Sequence, residues 1–519
     1  MNAARSLAAG LFALLSVTGC ANAGRDDVST MSVLAGSELR DIEPMLPEIE
    51  RQTHVRLQLT YSGTLAGIDR LNAGEHFDAV WFSHAKYLVL NDASRVKAQE
   101  KTMLSPVVLG LKTNKAHAFG WDRTSPTWAD IAAKVKAGEL HYAMTNPTAS
   151  NSGFSAIIGV AAALTGTSSA LTAKDVDQSK LRDFFSGQVL TAGSSGWLAE
   201  AYVRDQDHLD GIITYESILL SLNHDGQLHE PLTLIYPREG IVTADYPLVL
   251  LDAGKRSLFD TVVAVVRSAP FQREIMTRTF RRPVNREVAL DKSFPSAMIV
   301  ELDFPSDLDA INALLLTYLN SARRPAHSLF VLDVSGSMKG DRLTQLKSAM
   351  GTLTGEDSSL TGRFARFQER ERVTLIPFSN QVNPEPTVEI GTGTSLAKGL
   401  GQVRSMSESL EAGGGTAIYS ALAEAYRQAQ DLIGRDPNRY YSIVLMTDGV
   451  SNQGMTANEF KDFYTALPPD VRRVKVFPII FGEASQDELK SVAELTGGRL
   501  FDGNKAALAP VFKEIRGYQ

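Results

Sequence analysis

The sequence predicts an α/β protein made of two successive parts, each built on a largely parallel sheet. Short apolar runs typical of buried strands alternate with segments of helical periodicity along nearly the whole chain, which is the pattern of parallel sheets covered by helices. Polar residues collect directly after several of the predicted strands, where open α/β sheets place their ligands. The length of 519 residues allows two or three domains, each with its own core.

The charge balance of the chain is mildly acidic. The formal net charge is −7, and residues 1–19 contribute one basic residue and no acid, which leaves 51 basic against 59 acidic residues. Such a balance argues against a general nucleic-acid binder. One arginine cluster is interleaved with glutamates, and we interpret it as a solvated helix face. It consists of Arg363, Arg366, Glu369, Arg370, Glu371 and Arg372.

Residues 1–19 form a targeting segment. Arg5 supplies a positive start, and the apolar stretch at residues 7–17 is too short to span a bilayer. Residues 17–20, Val-Thr-Gly-Cys, resemble a bacterial lipobox, in which Cys20 is lipidated and the signal peptide is cut before it. An ordinary secretory signal that contains a cysteine is the alternative. Cys20 is the only cysteine, so its thiol is free for an anchor.

The segment from residue 20 to residue 29 is a short polar tether. Fully extended it spans about 30 Å, so a lipid anchor would hold the first folded domain near the membrane surface. No later stretch reaches 18 consecutive apolar residues, and we therefore expect no membrane-spanning helix after the signal segment.

From residue 30 the chain repeats a strand, a polar turn and a helix. The strand at residues 31–35 leads into Ser37, which we expect to cap a helix, and later strands also end in hydroxyl side chains. Residues 104–111 are predicted to be a crossing strand, and residues 232–242 are predicted to be the chain crossing back. Residues 148–152 form a polar run directly before an apolar helix.

This arrangement, over residues 30–305, is similar to type 2 extracytoplasmic solute-binding proteins. The resemblance implies two lobes that exchange two crossing strands and hold a small anionic or polar solute in the cleft between them. Hydroxyls and free N–H groups at helix starts are suited to bind anions. The alternative is that these residues are only helix caps and turn residues. The cleft residues that the resemblance implies are Ser37, Ser62, Thr64, Ser83, Thr148, Ser150, Asn151, Ser152 and Tyr215.

Residues 306–325 connect the two parts through a predicted helix with one apolar stripe. Arg323, Arg324 and Pro325 end this helix just before the next strand. Because a long flexible linker is absent from the sequence, we expect the two parts to be packed against each other.

The second part, residues 326–519, begins with a buried strand that ends in an oxygen-rich turn. Asp333, Ser335 and Ser337 follow the apolar run at residues 328–332, so that one carboxylate and two hydroxyls can point at one small ion. Oxygen-only ligation suits Mg²⁺ or Mn²⁺. Two later stretches add oxygen ligands: Gly-Gly-Gly-Thr at residues 413–416, and a strand that ends in Thr-Asp-Gly at residues 447–449.

Together and in this order, the three stretches resemble the metal-ion-dependent adhesion site of von Willebrand factor A (VWA) domains. The resemblance implies a Rossmann-like fold with a Mg²⁺ or Mn²⁺ site, and a protein partner that offers an acidic side chain to the ion. It implies that Ser335 and Ser337 ligate the metal directly. It also implies that Asp333 and Asp448 hold the metal directly or through water, and that Thr416 is the switching ligand. A metal-free A domain with polar loops is the alternative.

The sequence contains no frame that is typical of a catalytic site. A phosphate-binding Gly-x-x-x-x-Gly-Lys loop, a His-Glu-x-x-His zinc motif and a Gly-x-Ser-x-Gly nucleophile elbow are all absent from it. We therefore expect no catalytic residues and no enzyme activity. A binding function is the remaining interpretation.

The whole layout resembles bacterial lipoproteins that combine these two kinds of domain. The leading hypothesis is a lipid-anchored binding protein of the cell envelope, on the outer side of the cytoplasmic membrane or on the outer membrane, with a Mg²⁺-dependent VWA site for a protein partner. One alternative is the solute receptor of an ABC-type transporter with an accessory VWA domain. Another is an export-side chaperone or metal-insertion partner resembling the A-domain subunits of chelatases.

Overall fold

The computed structural model describes residues 28–166, 170–296, 299–504 and 508–519. The predicted signal segment and Cys20 lie outside the described residues. Strands and helices alternate through both parts, as predicted, but the sheets of the first part are mixed rather than largely parallel. The α-helices of the first part are Leu46–Thr53, Thr64–Asn72, Lys86–Asp92, Thr113–Phe119, Trp128–Lys136, Asn151–Thr165, Gln178–Phe185, Ser195–Asp205, Glu216–His224, Arg256–Val266 and Ala269–Thr279.

The first lobe is built around a sheet with three parallel strands at one side. Across this sheet the order is Val55–Tyr61, Ser29–Ala35, Ala79–Trp81, Pro247–Leu250 and Ala98–Lys101. The strand Pro247–Leu250 runs antiparallel to both of its neighbours, because it enters the sheet from the opposite direction after the chain returns from the second lobe.

The second lobe is organised around one long strand, Met103–Lys112. This strand is antiparallel to each strand with which it pairs, whereas the strand Tyr142–Thr145 is parallel to both of its neighbours. Across the sheet the order is Thr243–Ala244, Met103–Lys112, Gly211–Tyr215, Tyr142–Thr145 and Gln188–Ala192. The strands Leu232–Ile235 and Arg282–Pro283 also pair with the long strand.

The chain passes from the first lobe to the second and back again before the helix Arg256–Val266. The first crossing leads from Ala98–Lys101 into the long strand Met103–Lys112, which confirms the predicted crossing strand. The return was expected within residues 232–242, and this prediction is wrong, since the strand at its start still belongs to the second lobe. The chain returns at Tyr246, which has a φ of 38°. A bulky residue is strained in this left-handed region.

The predicted helix cap at Ser37 is not formed. Ser37–Met45 is a 3₁₀-helix that is preceded by Gly36, and no side chain caps its start. The reason is local: Gly36 rather than Ser37 occupies the cap position, and glycine has no side chain that could accept a backbone N–H. The hydroxyl of Ser37 is therefore not committed to the backbone of its own helix.

The second part contains a six-stranded sheet that is parallel except at one edge. Across it the order is Val388–Glu389, Arg372–Phe378, Ala326–Asp333, Tyr440–Thr447, Lys475–Ile480 and Phe501–Asp502. Among the described strands of this sheet, only the edge strand Val388–Glu389 runs antiparallel. The surrounding α-helices are Asp341–Gly351, Leu360–Ala365, Thr394–Glu408, Ile418–Arg435, Ala457–Ala466, Gln486–Thr496 and Leu508–Arg516.

The two faces of this sheet belong to two different cores, because alternate residues of a strand point to opposite faces. Leu329 and Val331 pack in a core with the helix Ile418–Arg435. Phe330 and Leu332 belong to a second core, which is continuous with that of the first part. The two parts therefore share buried apolar surface.

The connecting helix spans Leu308–Thr317 and ends in a π-turn at Tyr318–Ala322. Asp307 caps its start by accepting a hydrogen bond from the backbone N–H of Ala310 at 2.7 Å. Tyr318 packs edge-on against Phe185 of the second lobe, with ring centroids 4.9 Å apart. The expectation that the two parts are packed rather than loosely tethered is confirmed.

The prediction of a solvated helix face at residues 363–372 is wrong. The helix Leu360–Ala365 ends early, and Glu371 is buried between two guanidinium groups. Its carboxylate forms ion pairs with Arg516, from the last helix, and with Arg323, which follows the connecting helix. The side chain of Arg370 instead donates to the carbonyl of Asn320 and, at 3.1 Å, to that of Arg323. Long-range ion pairs thus replace the expected contact with water.

Candidate functional site

The three oxygen-rich stretches of the second part meet at one edge of its sheet. The strands Ala326–Asp333 and Tyr440–Thr447 are parallel neighbours, so their carboxyl ends place Asp333 and Asp448 side by side. Two backbone hydrogen bonds then hold the glycine-rich loop against the first turn. Gly336 N–H donates to the carbonyl of Gly414 at 2.9 Å, and Gly413 N–H donates to that of Val334 at 2.8 Å.

The side chains at this edge form a connected set of oxygen atoms. Ser335 Oγ and Ser337 Oγ are 3.0 Å apart, and Ser337 Oγ donates to Asp448 Oδ1 at 2.7 Å. Thr416 faces the same point: a Cβ atom on Gly449 would lie 3.6 Å from Thr416 Oγ1 and 3.9 Å from Ser337 Oγ. The structure brings together these predicted residues from three distant stretches of the sequence.

Asp333 is the most enclosed group of the set. Its side chain is buried, Oδ1 accepts the N–H of Ser335 at 2.8 Å, and Oδ2 accepts the hydroxyl of Thr447 at 2.5 Å. Burial raises the pKa of Asp333 above its ordinary value; the hydrogen bonds from Ser335 and Thr447 oppose this shift, and the nearby Asp448 adds to it. A cation beside the two carboxylates would favour their ionised forms.

This donor set fits a hard divalent cation. It offers two carboxylates and three hydroxyls, and Mg²⁺ and Mn²⁺ prefer oxygen ligands of this kind. The loops around it are fixed from outside the set, since Asn452 accepts the N–H of Thr416 and donates its own N–H to the Thr416 carbonyl, both at 2.9 Å. Asn452 was not predicted, because it belongs to none of the three stretches.

A second candidate site lies between the two lobes of the first part, in a cavity of about 1320 Å³. Six of the nine predicted cleft residues line it. They are Ser37, Ser62, Thr64, Thr148, Ser150 and Asn151. The other three, Ser83, Ser152 and Tyr215, are buried and do not line this cavity. Ser152 Oγ lies 2.9 Å from Thr145 Oγ1 and 2.8 Å from Ser195 Oγ, so it forms its hydrogen bonds within the second lobe.

Asn151 joins the two lobes directly. Its Oδ1 accepts the N–H of Thr64 at 2.8 Å, and its Nδ2 donates to Glu38 Oε1 at 3.0 Å. The lobes also touch at Gly63, where a Cβ atom would lie 2.8 Å from the carbonyl oxygen of Ala149. The expectation of a free N–H at the start of the helix Thr64–Asn72 is therefore wrong for Thr64, because Asn151 already binds this donor.

A cluster of buried polar groups lies where the lobes meet, and sequence reasoning missed most of it. Arg281 is 1% exposed, forms an ion pair with Asp41 at 2.6 Å and donates to the carbonyl of Glu38 at 3.0 Å. Its guanidinium lies 4.9 Å from the ring centre of Tyr246, and this ring lies 6.1 Å from that of Tyr215. Burial raises the pKa of Glu38 above its ordinary value.

Several polar atoms of this cluster are buried without a hydrogen-bond partner. They are Thr64 Oγ1, Ser83 Oγ, Tyr215 Oη, Tyr246 Oη and Arg281 Nε. Leaving a buried polar group unpaired costs about 1–3 kcal/mol.

Comparison with protein families decides what the two parts are. Residues 32–276 match the profile of a family described as bacterial extracellular solute-binding protein. Residues 329–510 match that of the von Willebrand factor type A domain. The chain joins a solute-binding domain to a VWA domain. Both are kinds of domain that serve binding, and the first implies an extracytoplasmic location.

Individual relatives of the chain are distant. An uncharacterized protein of Synechocystis sp. is 29% identical over 180 residues, which are 34% of this chain and 37% of that relative. The periplasmic binding protein AfuA from Actinobacillus pleuropneumoniae, with fructose-6-phosphate bound, is 14% identical with a TM-score of 0.43, over 57% of this chain and 98% of its own. A VWA structure from Catenulispora acidiphila is 17% identical with a TM-score of 0.30, over 38% and 43%. The assignment of the two domains rests on the family profiles.

The VWA domain contacts both lobes of the solute-binding domain. On the first lobe, the Asp69 carboxylate accepts the backbone N–H groups of Leu360 and Thr361 at 3.0 and 2.7 Å. On the second lobe, Trp197 packs edge-on against Tyr518, next to the end of the chain, with ring centroids 5.0 Å apart. The cavity between the lobes is accordingly lined in part by residues of the VWA domain.

The structure gives two further observations on partners. No helix of residues 28–166, 170–296, 299–504 and 508–519 is long and apolar enough to cross a membrane. Within the same ranges, no three side chains of His, Cys, Asp or Glu gather into a metal-binding cluster. The oxygen set of the VWA domain, with two acids and three hydroxyls, is a site of a different composition.

Asn151→Ala is expected to lower the free energy of unfolding of the solute-binding domain by about 1–3 kcal/mol, because Thr64 N–H and the Glu38 carboxylate both lose a buried partner. Thermal unfolding of the full chain measures this effect. Asn91→Ala is the matched control, since Asn91 makes only an exposed hydrogen bond, to Asn72 at 3.3 Å. Equal melting temperatures for the two variants would contradict a bridging role for Asn151.

Proposed function

We propose that this protein is a lipid-anchored binding protein of the cell envelope, without enzyme activity, whose VWA domain binds a protein partner through Mg²⁺ or Mn²⁺. The observation that carries the proposal is the meeting of five predicted side chains at one sheet edge. They are Asp333, Ser335, Ser337, Thr416 and Asp448.

The five side chains would have two different roles at such a site. Ser335, Ser337 and Thr416 would offer neutral oxygen ligands, and Asp333 and Asp448 would balance the charge of the ion. A bound divalent ion would be the largest local positive charge. Two carboxylates are the most that this set supplies, so an acidic side chain of a partner protein is a suitable further ligand.

The test is a pull-down from the envelope fraction with the full-length protein. The partner is expected to be captured in Mg²⁺ or Mn²⁺ and lost in EDTA, because its acidic side chain binds only where the ion is present. Capture of the same partner with equal yield in EDTA would contradict the proposal.

The lipid anchor is a separate component of the proposal, carried by the sequence at Cys20. Cys20→Ala is expected to release the protein from membranes or to leave its precursor uncleaved, since an acyl chain contributes about 0.8 kcal/mol for each CH₂ group that it buries. Detergent-phase partitioning together with the size of the processed chain measures this. Asn22→Ala is the control that should stay in the detergent phase. A processed Cys20→Ala protein in that phase would rule out the anchor.

A second candidate function, solute receptor of an ABC-type transporter, is favoured by one observation in the cleft. Six of the predicted polar side chains line the cavity, where a small polar or anionic solute would find hydrogen-bond partners; they are Ser37, Ser62, Thr64, Thr148, Ser150 and Asn151. A solute at a hundredfold excess over its Kd would stabilise the folded chain by about 2.7 kcal/mol. A thermal-shift screen of anions, amino acids and sugars on the full chain tests this, and a screen without any shift would count against it.

A further inference from the structure

A guanidinium group reaches the candidate metal site from the neighbouring helix. Arg342, at the start of the helix Asp341–Gly351, places Nη1 2.5 Å from Asp448 Oδ2. The Asp448 side chain is fully buried, whereas that of Arg342 is 32% exposed. Because Ser337 donates to the other carboxylate oxygen of Asp448, both oxygens of this predicted ligand are already bound within the protein.

The loop at Gly482 lies against this guanidinium. Gly482 has a φ of 58°, and a Cβ atom there would lie 2.9 Å from Arg342 Cζ. Asn504 holds the backbone of Gly482 from the other side, accepting its N–H at 2.8 Å and donating to its carbonyl at 3.0 Å. The glycine at this position leaves room for the guanidinium beside Asp448, and its positive φ is one that glycine adopts without strain.

We propose that Arg342 is an internal counter-cation of the metal site, which neutralises Asp448 in the metal-free protein and which a divalent ion must displace. The inference rests on the proposed function, since it concerns the same site. A guanidinium and a divalent ion cannot both approach the Asp448 carboxylate closely without repelling each other. A third of the Arg342 side chain already contacts water, so its guanidinium can move into solvent once the ion takes over as the partner of Asp448.

The consequence is that the protein binds the ion more weakly than its five oxygen ligands would without Arg342. Only molecules in which Arg342 has left Asp448 are competent to bind the ion, and the apparent affinity falls by the fraction of such molecules. Metal binding and movement of Arg342 are then coupled, and the partner surface at this edge differs in charge between the two states.

The test compares Mn²⁺ affinity between the full-length protein and its Arg342→Gln variant, by isothermal titration and by Mn²⁺ electron paramagnetic resonance. Arg342→Gln is expected to bind Mn²⁺ about tenfold more tightly, because the competing cation is gone. In EDTA the same variant is expected to melt at a lower temperature than the wild type, because the buried Asp448 carboxylate loses its guanidinium partner. Arg342→Lys, which keeps the charge, should give an Mn²⁺ affinity between that of the wild type and that of Arg342→Gln.

Arg427→Gln is the matched control, since Arg427 pairs with Glu424 on an exposed helix surface of the same domain. Its Mn²⁺ affinity should equal that of the wild type. Equal or weaker Mn²⁺ binding by Arg342→Gln, with clear binding by the wild type, would overturn the inference and leave the metal site intact. Absence of Mn²⁺ binding from both proteins would overturn the proposed metal site together with the inference.

Discussion

Asp333→Ala is expected to reduce Mn²⁺ and Mg²⁺ affinity by more than about 100-fold and to abolish metal-dependent partner binding. Loss of a residue that merely orients a metal ligand costs 10–100-fold in affinity, so loss of a buried carboxylate of the site itself should exceed this range. Isothermal titration with Mn²⁺ and the envelope pull-down measure the two effects. The fold should survive, because Asp333 lies at the end of its strand and not in the apolar core.

Asp341→Ala is the matched control for this experiment. Asp341 carries the same charge eight positions further along, but its side chain is exposed at the start of the next helix. It should leave metal affinity unchanged within about twofold, since exposed charges are screened by water and salt. Mn²⁺ binding by Asp333→Ala that matches the control would exclude Asp333 from the site, and a partner retained in EDTA would exclude the metal from partner binding.

Glu371→Ala is expected to lower the free energy of unfolding by about 3–5 kcal/mol, the usual cost of removing one partner from a buried ion pair. Both Arg323 and Arg516 are nearly inaccessible to solvent and would be left without their carboxylate. Thermal and urea unfolding of the full chain measure the loss. Glu369→Ala is the control, because Glu369 is only partly buried and takes no part in this cluster. Similar losses for both variants would refute the special role of Glu371.

The same cluster predicts an effect of pH. Burial alone would raise the pKa of Glu371, but Arg516 and Arg323 outweigh it, and the pKa lies below its ordinary value of 4.5. A carboxyl whose pKa is lowered by folding contributes stability above its unfolded pKa, and this contribution is lost as the pH falls through the folded value. Glu371→Gln is therefore expected to flatten the acid side of the stability profile below about pH 4.5, which melting temperatures across that range would reveal.

Contacts that follow from regular strands and turns could be predicted from the sequence, whereas contacts between distant, irregular segments could not. Four of the five metal-site residues lie at or just after strand ends, and parallel strands bring their ends to one edge, so Asp333 and Asp448 were predictable as neighbours. Arg342 was not, because a helix residue nine positions after Asp333 gives no pattern that points at a carboxylate more than 100 residues away.

The cleft and the domain seam show the same limit. The hydroxyls at the predicted turns, such as Ser62 and Thr148, do line the cavity, since their positions follow from local turns. Arg281 and Tyr246 come from segments without a local motif, and only the crossing of the chain between the lobes brings them to Glu38. At Glu371, alternating charges matched the pattern of an exposed helix, but two arginines at distances of 48 and 145 residues determined its burial.

The contacts of the VWA domain with both lobes bear on how fast a solute can leave the cleft. In a two-lobed binding protein the lobes separate by hinge motion at the crossing strands. Here such a motion must also break either the contacts of Asp69 with Leu360 and Thr361 or the packing of Trp197 on Tyr518. A solute bound in the cleft, as proposed for the second candidate function, would therefore leave only as fast as the VWA domain detaches from one lobe. The residence time of such a solute would then depend on the interface between the domains as much as on the contacts with the solute.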